Sequence, residues 1–285
     1  MFAARSVPPD RITSLHNPRI KDVLRLQEKS AERRRQGLTL VEGYRELTNA
    51  QAASWVVATL LVCEELAGAA VAQALLARAP DGPRPYEYLP VSAAVFAKLA
   101  VRERSDGVLA VLRTPQRTLA GLALPPNPLV IVLEAVEKPG NLGAILRTAD
   151  AAPAHAVLVG DPRTDLYNPN VIRASLGGIF TVPTVAAPMV EILAFLQEKG
   201  IRTFAAALAD DAKSYTTTSF IGPTALVLGT EADGLTPATR AACDETVIIP
   251  MRGQLDSLNV SVAAAVLTFE AVRQRQGVGA NKPSA

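Results

Sequence analysis

From Leu129 onward the chain repeats one pattern: a short run of apolar residues, then a longer stretch with helical period. The apolar runs are residues 129–133, 156–159, 180–185, 201–206, 225–228 and 247–249. A strand made from such a run has no polar face and must be covered on both sides. A sheet meets that condition when its strands run parallel and helices cover both faces. Stretches 142–152, 169–176 and 190–199 have helical period, the last stopped by Gly200, and 260–275 is a long closing helix. The pattern predicts an α/β fold with a mostly parallel sheet.

The first half predicts a smaller α/β domain. Asn17-Pro18 opens a helix through Arg35, with Ile20, Val23, Leu24 and Leu26 as its apolar positions. Strands follow at 38–41, 55–62, 86–91 and 108–113, with helices at 43–52, 64–79 and 92–100 between them. Pro115, Pro125, Pro126 and Pro128 then interrupt any period. The expected organisation is a domain at 1–114, a linker at 115–128 and a second domain at 129–285.

Charge narrows the partners. The net charge of the 285 residues is only +2, so any nucleic-acid contact must be local. Arg19, Lys21, Arg25, Lys29, Arg33, Arg34 and Arg35 fall within one short stretch, opposed by Asp22, Glu28 and Glu32. That stretch is either a solvated helix face with ion pairs between successive turns or a phosphate-contacting patch. Cys63 and Cys243 lie far apart and outside any CxxC pattern, and no His/Cys/carboxylate cluster has metal spacing. Residues 1–10 have no apolar leader core, and no uncharged stretch suits a membrane span. A cytoplasmic protein with reduced thiols and no membrane association is expected.

Three segments, each after a predicted strand, carry the candidate chemistry, because open α/β sheets bind ligands at the carboxyl ends of their strands. The first runs from Glu134 through Pro139-Gly140-Asn141 and Gly143 to Arg147 and Asp150. Asn141 is suited to cap the following helix. The second is Leu228-Gly229-Thr230-Glu231, ending at Thr236-Pro237, a helix cap followed by proline in the first turn. The third runs from Ile249-Pro250-Met251 to Ser257-Leu258-Asn259, where Ser257 or Asn259 caps a helix of small residues. There is no GxGxxG or GxxxxGK[ST] motif, which argues against an oxidoreductase or a P-loop enzyme.

Taken together and in this order, the segments resemble the signature motifs of the SpoU (TrmH) family of RNA 2'-O-ribose methyltransferases, in the SPOUT superfamily. The likeness rests on Pro139-Gly-Asn-Leu-Gly with Arg147-Thr-Ala, on Leu228-Gly-Thr-Glu231, and on Ile249-Pro-Met with Ser257-Leu-Asn-Val-Ser-Val-Ala. Residues 170–178, with Arg173 and Ser175, also resemble a helix of that family. Ser14-Leu-His-Asn-Pro-Arg-Ile-Lys and Leu40-Val-Glu-Gly-Tyr-Arg resemble its L30e-like substrate-binding domain. Two places depart from the pattern. Glu137-Lys138 stands where the family usually has an Asp before Pro-Gly-Asn, and Ala151-Ala-Pro-Ala-His155 replaces an aromatic-Gly turn.

The resemblance implies a C-terminal trefoil-knot domain, although periodicity gives no reason to expect a knot. It implies S-adenosyl-L-methionine as methyl donor, no metal, and a homodimer with the active site at the subunit interface. Arg147, Asn141, Glu231, Ser257 and Asn259 would form the catalytic constellation. Gly229, Ile249 and Leu258, with Met251 and Leu208, would clasp the donor. Arginine is a poor base, so Arg147 is expected to bind phosphate and stabilise a developing alkoxide, which leaves proton removal unassigned. Arg19, Lys21, Arg33, Arg34 and Arg35 would contact RNA, with 23S ribosomal RNA as the expected substrate. The alternatives are a transfer-RNA 2'-O-methyltransferase and a non-catalytic RNA-binding ribosome-assembly factor.

Overall fold

The computed structural model describes residues 10–77, 86–101 and 105–279. The leader-free start expected at 1–10 falls almost entirely outside these residues, as do the end of the 64–79 helix and the tail beyond 279. The chain forms two compact units, Met1–Pro115 with Tyr167–Pro169, and Gln116–Leu166 with Asn170–Ala285.

In the first unit, α1 (Pro18–Glu28), α2 (Ser30–Gln36), β1 (Leu38–Glu42) and α3 (Tyr44–Ala52) are followed by β2 (Val57–Val62), α4 (Glu64–Ala67) and α5 (Ala69–Ala77). Then come β3 (Glu87–Pro90), α6 (Ala93–Leu99) and β4 (Val108–Arg113). The sheet order is β1-β4-β2-β3, with β4 antiparallel to both neighbours and β3 parallel to β2. Ile20, Val23 and Leu26 of α1 and Val95, Phe96 and Leu99 of α6 pack on Leu40, Leu61, Leu109 and Val111.

Two expected helices are each broken. Lys29 is extended (φ −111°, ψ 111°) and separates α1 from α2. Arg33 accounts for the break. It is only 4% exposed, and its Nη1 donates to the carbonyls of Leu26 at 2.6 Å and Gln27 at 3.1 Å. These carbonyls end α1 and have no partner further along the helix. Arg33 is therefore a cap and not the RNA contact the sequence suggested. In the same way Gly68, at φ 79°, divides α4 from α5.

The second unit contains β5 (Leu129–Glu134), α7 (Pro139–Ala151), β6 (Ala156–Gly160), α8 (Pro169–Ser175), α9 (Gly178–Thr181) and β7 (Thr184–Ala187). It continues with α10 (Met189–Glu198), β8 (Arg202–Ala206), β9 (Lys213–Ser214), β10 (Thr224–Leu228), α11 (Pro237–Ala241), β11 (Glu245–Ile248) and α12 (Val260–Gly279). The sheet order is β7-β6-β5-β10-β8-β11-β9, and every pairing is parallel. Strands β5, β6 and β10 are buried along their whole length, as runs without a polar face require. The chain places β10 between β5 and β8, and β11 beyond β8. Interleaving of this kind is one requirement of the knot that the resemblance implies.

The strand expected at 180–185 is displaced. Gly177 is left-handed (φ 103°), and the helical turn α9 precedes β7. A Cβ on Gly178 would lie 2.8 Å from the Leu146 carbonyl oxygen, so this turn sits hard against α7. Ile179 and Phe180 are buried in either conformation, and an apolar run alone does not separate the two. The proline-rich stretch after Pro115 forms no helix or strand, yet Leu119, Leu122 and Leu124 pack against the second core.

Candidate active site

Loops after β8, β10 and β11, closed by the first turns of α12, surround a cavity of about 470 Å³. That lies within the ordinary range for small-molecule sites. Its wall takes residues 206–208 from the first loop and 228–235 from the second. The third loop supplies Ile249, Met251, Asp256, Ser257 and Leu258, and α12 supplies Val260, Ala263 and Leu267. All five residues expected to clasp a donor, Gly229, Ile249, Leu258, Met251 and Leu208, stand on this wall, together with Glu231 and Ser257.

The second loop is compact because its glycines meet. A Cβ on Gly229 would collide with the backbone of Gly234, and Gly234 is left-handed at φ 67°. Thr236 then caps α11, its hydroxyl accepting from Thr239 N at 3.2 Å. The third loop ends in a similar cap. Asn259 Oδ1 accepts from Ser261 N at 2.9 Å and Ser261 Oγ at 2.6 Å.

Asn141 does not cap α7, as its position after Pro139-Gly140 suggested. The helix already starts at Pro139, with Lys138 at the cap position, so Asn141 lies inside the first turn. Its Oδ1 accepts instead from Asn259 Nδ2 at 3.3 Å. That bond ties α7 to the residue between Leu258 and Val260, both on the cavity wall. A Cβ on Gly143 would collide with Ala174, so the glycine lets α7 and α8 touch.

Glu231 forms an ion pair with Lys138 and so joins the loop after β10 to the segment between β5 and α7. It makes no hydrogen bond or ion pair with Arg147 among the described residues. Arg147 is exposed on α7, is absent from the cavity wall, and has no hydrogen bond or ion pair among the described residues. Six residues separate it from Asn141, about 240° around a regular helix, so the two face different ways. Asp150, three residues on, takes the Thr181 hydroxyl at 2.5 Å instead of the arginine.

Several wall residues escaped the sequence. Asp233, Asp256 and Arg240 line the cavity, but charged loop residues have no period to mark them. Glu134, which lies behind the wall and not on it, is the clearer omission. It is buried at the end of β5, and a carboxylate closing an otherwise apolar run was its available signal. Burial pushes the Cys243 thiol up to about 11, and both cysteines are free.

The basic stretch separates by partner. Arg19 pairs with Glu87 and Arg35 with Glu32, while Lys21 and Arg34 are exposed and have no partner among the described residues. No group of three or more His, Cys, Asp or Glu among the described residues is placed to hold a metal ion. None of their helices is long and apolar enough to cross a membrane.

Residues 128–269 match the SpoU rRNA Methylase family and residues 17–110 the MRM3-like substrate binding domain. A protein of Ralstonia nicotianae named 23S rRNA (guanosine-2'-O-)-methyltransferase RlmB is 44% identical over 154 residues, which cover 54% of this chain and 61% of that protein. Less than two thirds of that relative is therefore matched. The Streptomyces viridochromogenes 23S rRNA (uridine(2479)-2'-O)-methyltransferase is 32% identical over 274 residues, covering 93% of this chain and 92% of the relative. The crystal structure of the SpoU methyltransferase AviRb of Streptomyces viridochromogenes in complex with AdoMet superposes with a TM-score of 0.82 at 30% identity, over 91% of this chain and 98% of that one. With all of its expected donor-clasping residues on one cavity wall and a relative matched along nearly its whole length, the chain belongs to the SpoU rRNA methylase family.

Proposed function

We propose that the chain transfers a methyl group from S-adenosyl-L-methionine to a ribose 2'-hydroxyl of 23S ribosomal RNA. The observation that carries this is the cavity wall itself. Leu208, Met251, Leu258 and Leu267 offer apolar surface for a purine, and Glu231, Asp233 and Asp256 offer carboxylates, with Arg240 as the one cation. That set suits a nucleoside with a positively charged sulfur and an amino-acid end. When bound, the donor supplies an already activated methyl group, so the residues need only orient and shield. The 2'-O-methyltransferase names of the relatives in Ralstonia and Streptomyces support the substrate.

The chain's own groups divide the remaining work. The bond between Asn141 and Asn259 ties the first turn of α7 to the loop after β11 at the cavity edge. Fixing the reacting groups in line supplies much of the rate. Arg147, exposed and without a partner among the described residues, is placed to clamp an RNA phosphate and to stabilise charge developing on the ribose oxygen. Because Arg147 does not reach the cavity of its own chain, a second copy supplies it. An exposed apolar stripe on α12, with Val262 and Phe269 each 47% exposed, supports a homodimer. Lys21 and Arg34 contact RNA phosphates on the first unit, and action on ribosomal RNA is consistent with a cytoplasmic location.

Calorimetric titration with S-adenosylmethionine tests the donor site. One donor bound per chain, lost in an Ala263→Trp variant that fills the cavity, is expected. Binding undiminished in that variant would place the donor elsewhere.

A further inference from the structure

The loop 229–235 is closed on itself. Thr230 N donates to the Gly234 carbonyl at 2.9 Å and Gly234 N to the Thr230 carbonyl at 3.2 Å. Asp233 N donates to Thr230 Oγ1 at 3.0 Å. Gly229 and Gly234 leave no space between their backbones. A loop this self-contained deforms little, so its place over the cavity is set at its two ends and by the surface ion pair of Glu231 with Lys138. One end is β10. The other is Thr236, and Glu134 holds it.

Glu134 is 5% exposed and absent from the cavity wall. Its Oε2 accepts from Thr236 N at 2.8 Å, and its Oε1 from Thr236 Oγ1 at 2.8 Å and Thr239 Oγ1 at 2.5 Å. A buried carboxylate survives only where such donors meet it, and the other residues of β5 are all apolar. The next residue, Ala135, is left-handed at φ 52°, a conformation that strains a residue with a Cβ. The main chain therefore turns sharply away at the strand end, while the carboxylate stays on Thr236.

We infer that Glu134 is a positioning residue that fixes the loop 229–235 through Thr236 and so sets donor affinity without touching the donor. This rests on the proposal that the cavity binds S-adenosylmethionine. Glu134→Gln keeps the size of the side chain but replaces one acceptor oxygen with a donor. Thr239→Val is the milder change, removing one of the three donors and none of the cavity wall.

Two measurements on the whole chain decide it: hydrogen exchange of the ligand-free protein and calorimetric titration with S-adenosylmethionine. In Glu134→Gln the amides of 229–236 should exchange roughly tenfold faster while those of β5 and β10 keep their rates, and the donor Kd should rise roughly tenfold, the size of one lost bond to a charged group. Thr239→Val should move both readings the same way by about threefold. Turnover at saturating donor should hold within about twofold, because the change falls on binding. Wild-type Kd in Glu134→Gln, or faster exchange spread through β5 and β10, would overturn the inference and leave Glu134 a fold stabiliser alone. If Glu134→Gln does not fold, Thr239→Val decides by the same readings. A wild-type protein that takes up no donor would refute the proposed function, while the exchange pattern would still judge the Glu134 anchor.

Discussion

Within the run Arg33-Arg34-Arg35, burial separates one guanidinium from the next. Arg33 is enclosed and bonded to the carbonyls that end α1, Arg35 is engaged with Glu32, and Arg34 is open to solvent. Arg33→Ala should therefore destabilise the protein by about 2 kcal/mol, since bonds from a charged donor are lost, and a urea melt would show it. The pair Lys21→Ala and Arg34→Ala should leave the melt within about 0.5 kcal/mol. It should instead reduce the salt dependence of RNA binding, with the slope of log K on log salt falling by about 1 to 2. An unchanged slope would remove both residues from the RNA surface. Arg147→Ala should abolish methylation while donor binding and the melt stay at wild-type values, and near-normal turnover would refute its role. Which arginine did what was not legible in sequence, because a run of like charges has no period. The loops that form the cavity wall were legible because glycine, proline and capping residues mark strand ends, whereas Gly229, Ile249, Leu258, Met251 and Leu208 were singled out on them by the family resemblance alone.

Helices and strands in the second unit followed their sequence closely where burial is two-sided, as in β5, β6 and β10. Elements of either unit departed where a single residue overrides the period. Lys29, Gly68 and Gly177 each interrupt a pattern by backbone conformation, and β9 is too short at two residues to leave a signal. Ala135 shows the reverse case, strain kept at a strand end. Ala135→Gly should relieve it and stabilise the fold by about 1 kcal/mol, measured as a higher urea midpoint. The carboxyl-terminal half of α12 depends on Arg275, whose guanidinium donates to the carbonyls of Phe220, Asn127, Pro128 and Gly222. Arg275→Met should cost about 3 kcal/mol by stranding them. Burial holds the His155 imidazole below its ordinary value of 6.5, and its Nδ1 accepts from Leu129 N at 3.0 Å. Folding thus favours the neutral ring. The stability it contributes is complete above about pH 6.5 and declines as acid protonates the ring in the unfolded chain. A His155→Gln variant should flatten that part of the pH–stability curve.

For the molecule as a whole, the parallel sheet gathers three loops at the carboxyl ends of β8, β10 and β11, and the first turns of α12 close them into one chamber. Strand order was not legible in the sequence, because local period says nothing of which strand lies beside which. Sedimentation should show a dimer, and charges placed on α12 by Val262→Asp with Phe269→Asp should yield a monomer that folds but does not methylate. The most direct test uses S-adenosylmethionine with a labelled methyl group and protein-free 23S ribosomal RNA. A methyl on the 2'-oxygen blocks alkaline cleavage of the neighbouring phosphodiester, so the labelled nucleotide should leave one gap in the alkaline ladder. Label on a base, with an unbroken ladder, would contradict ribose transfer by this chain.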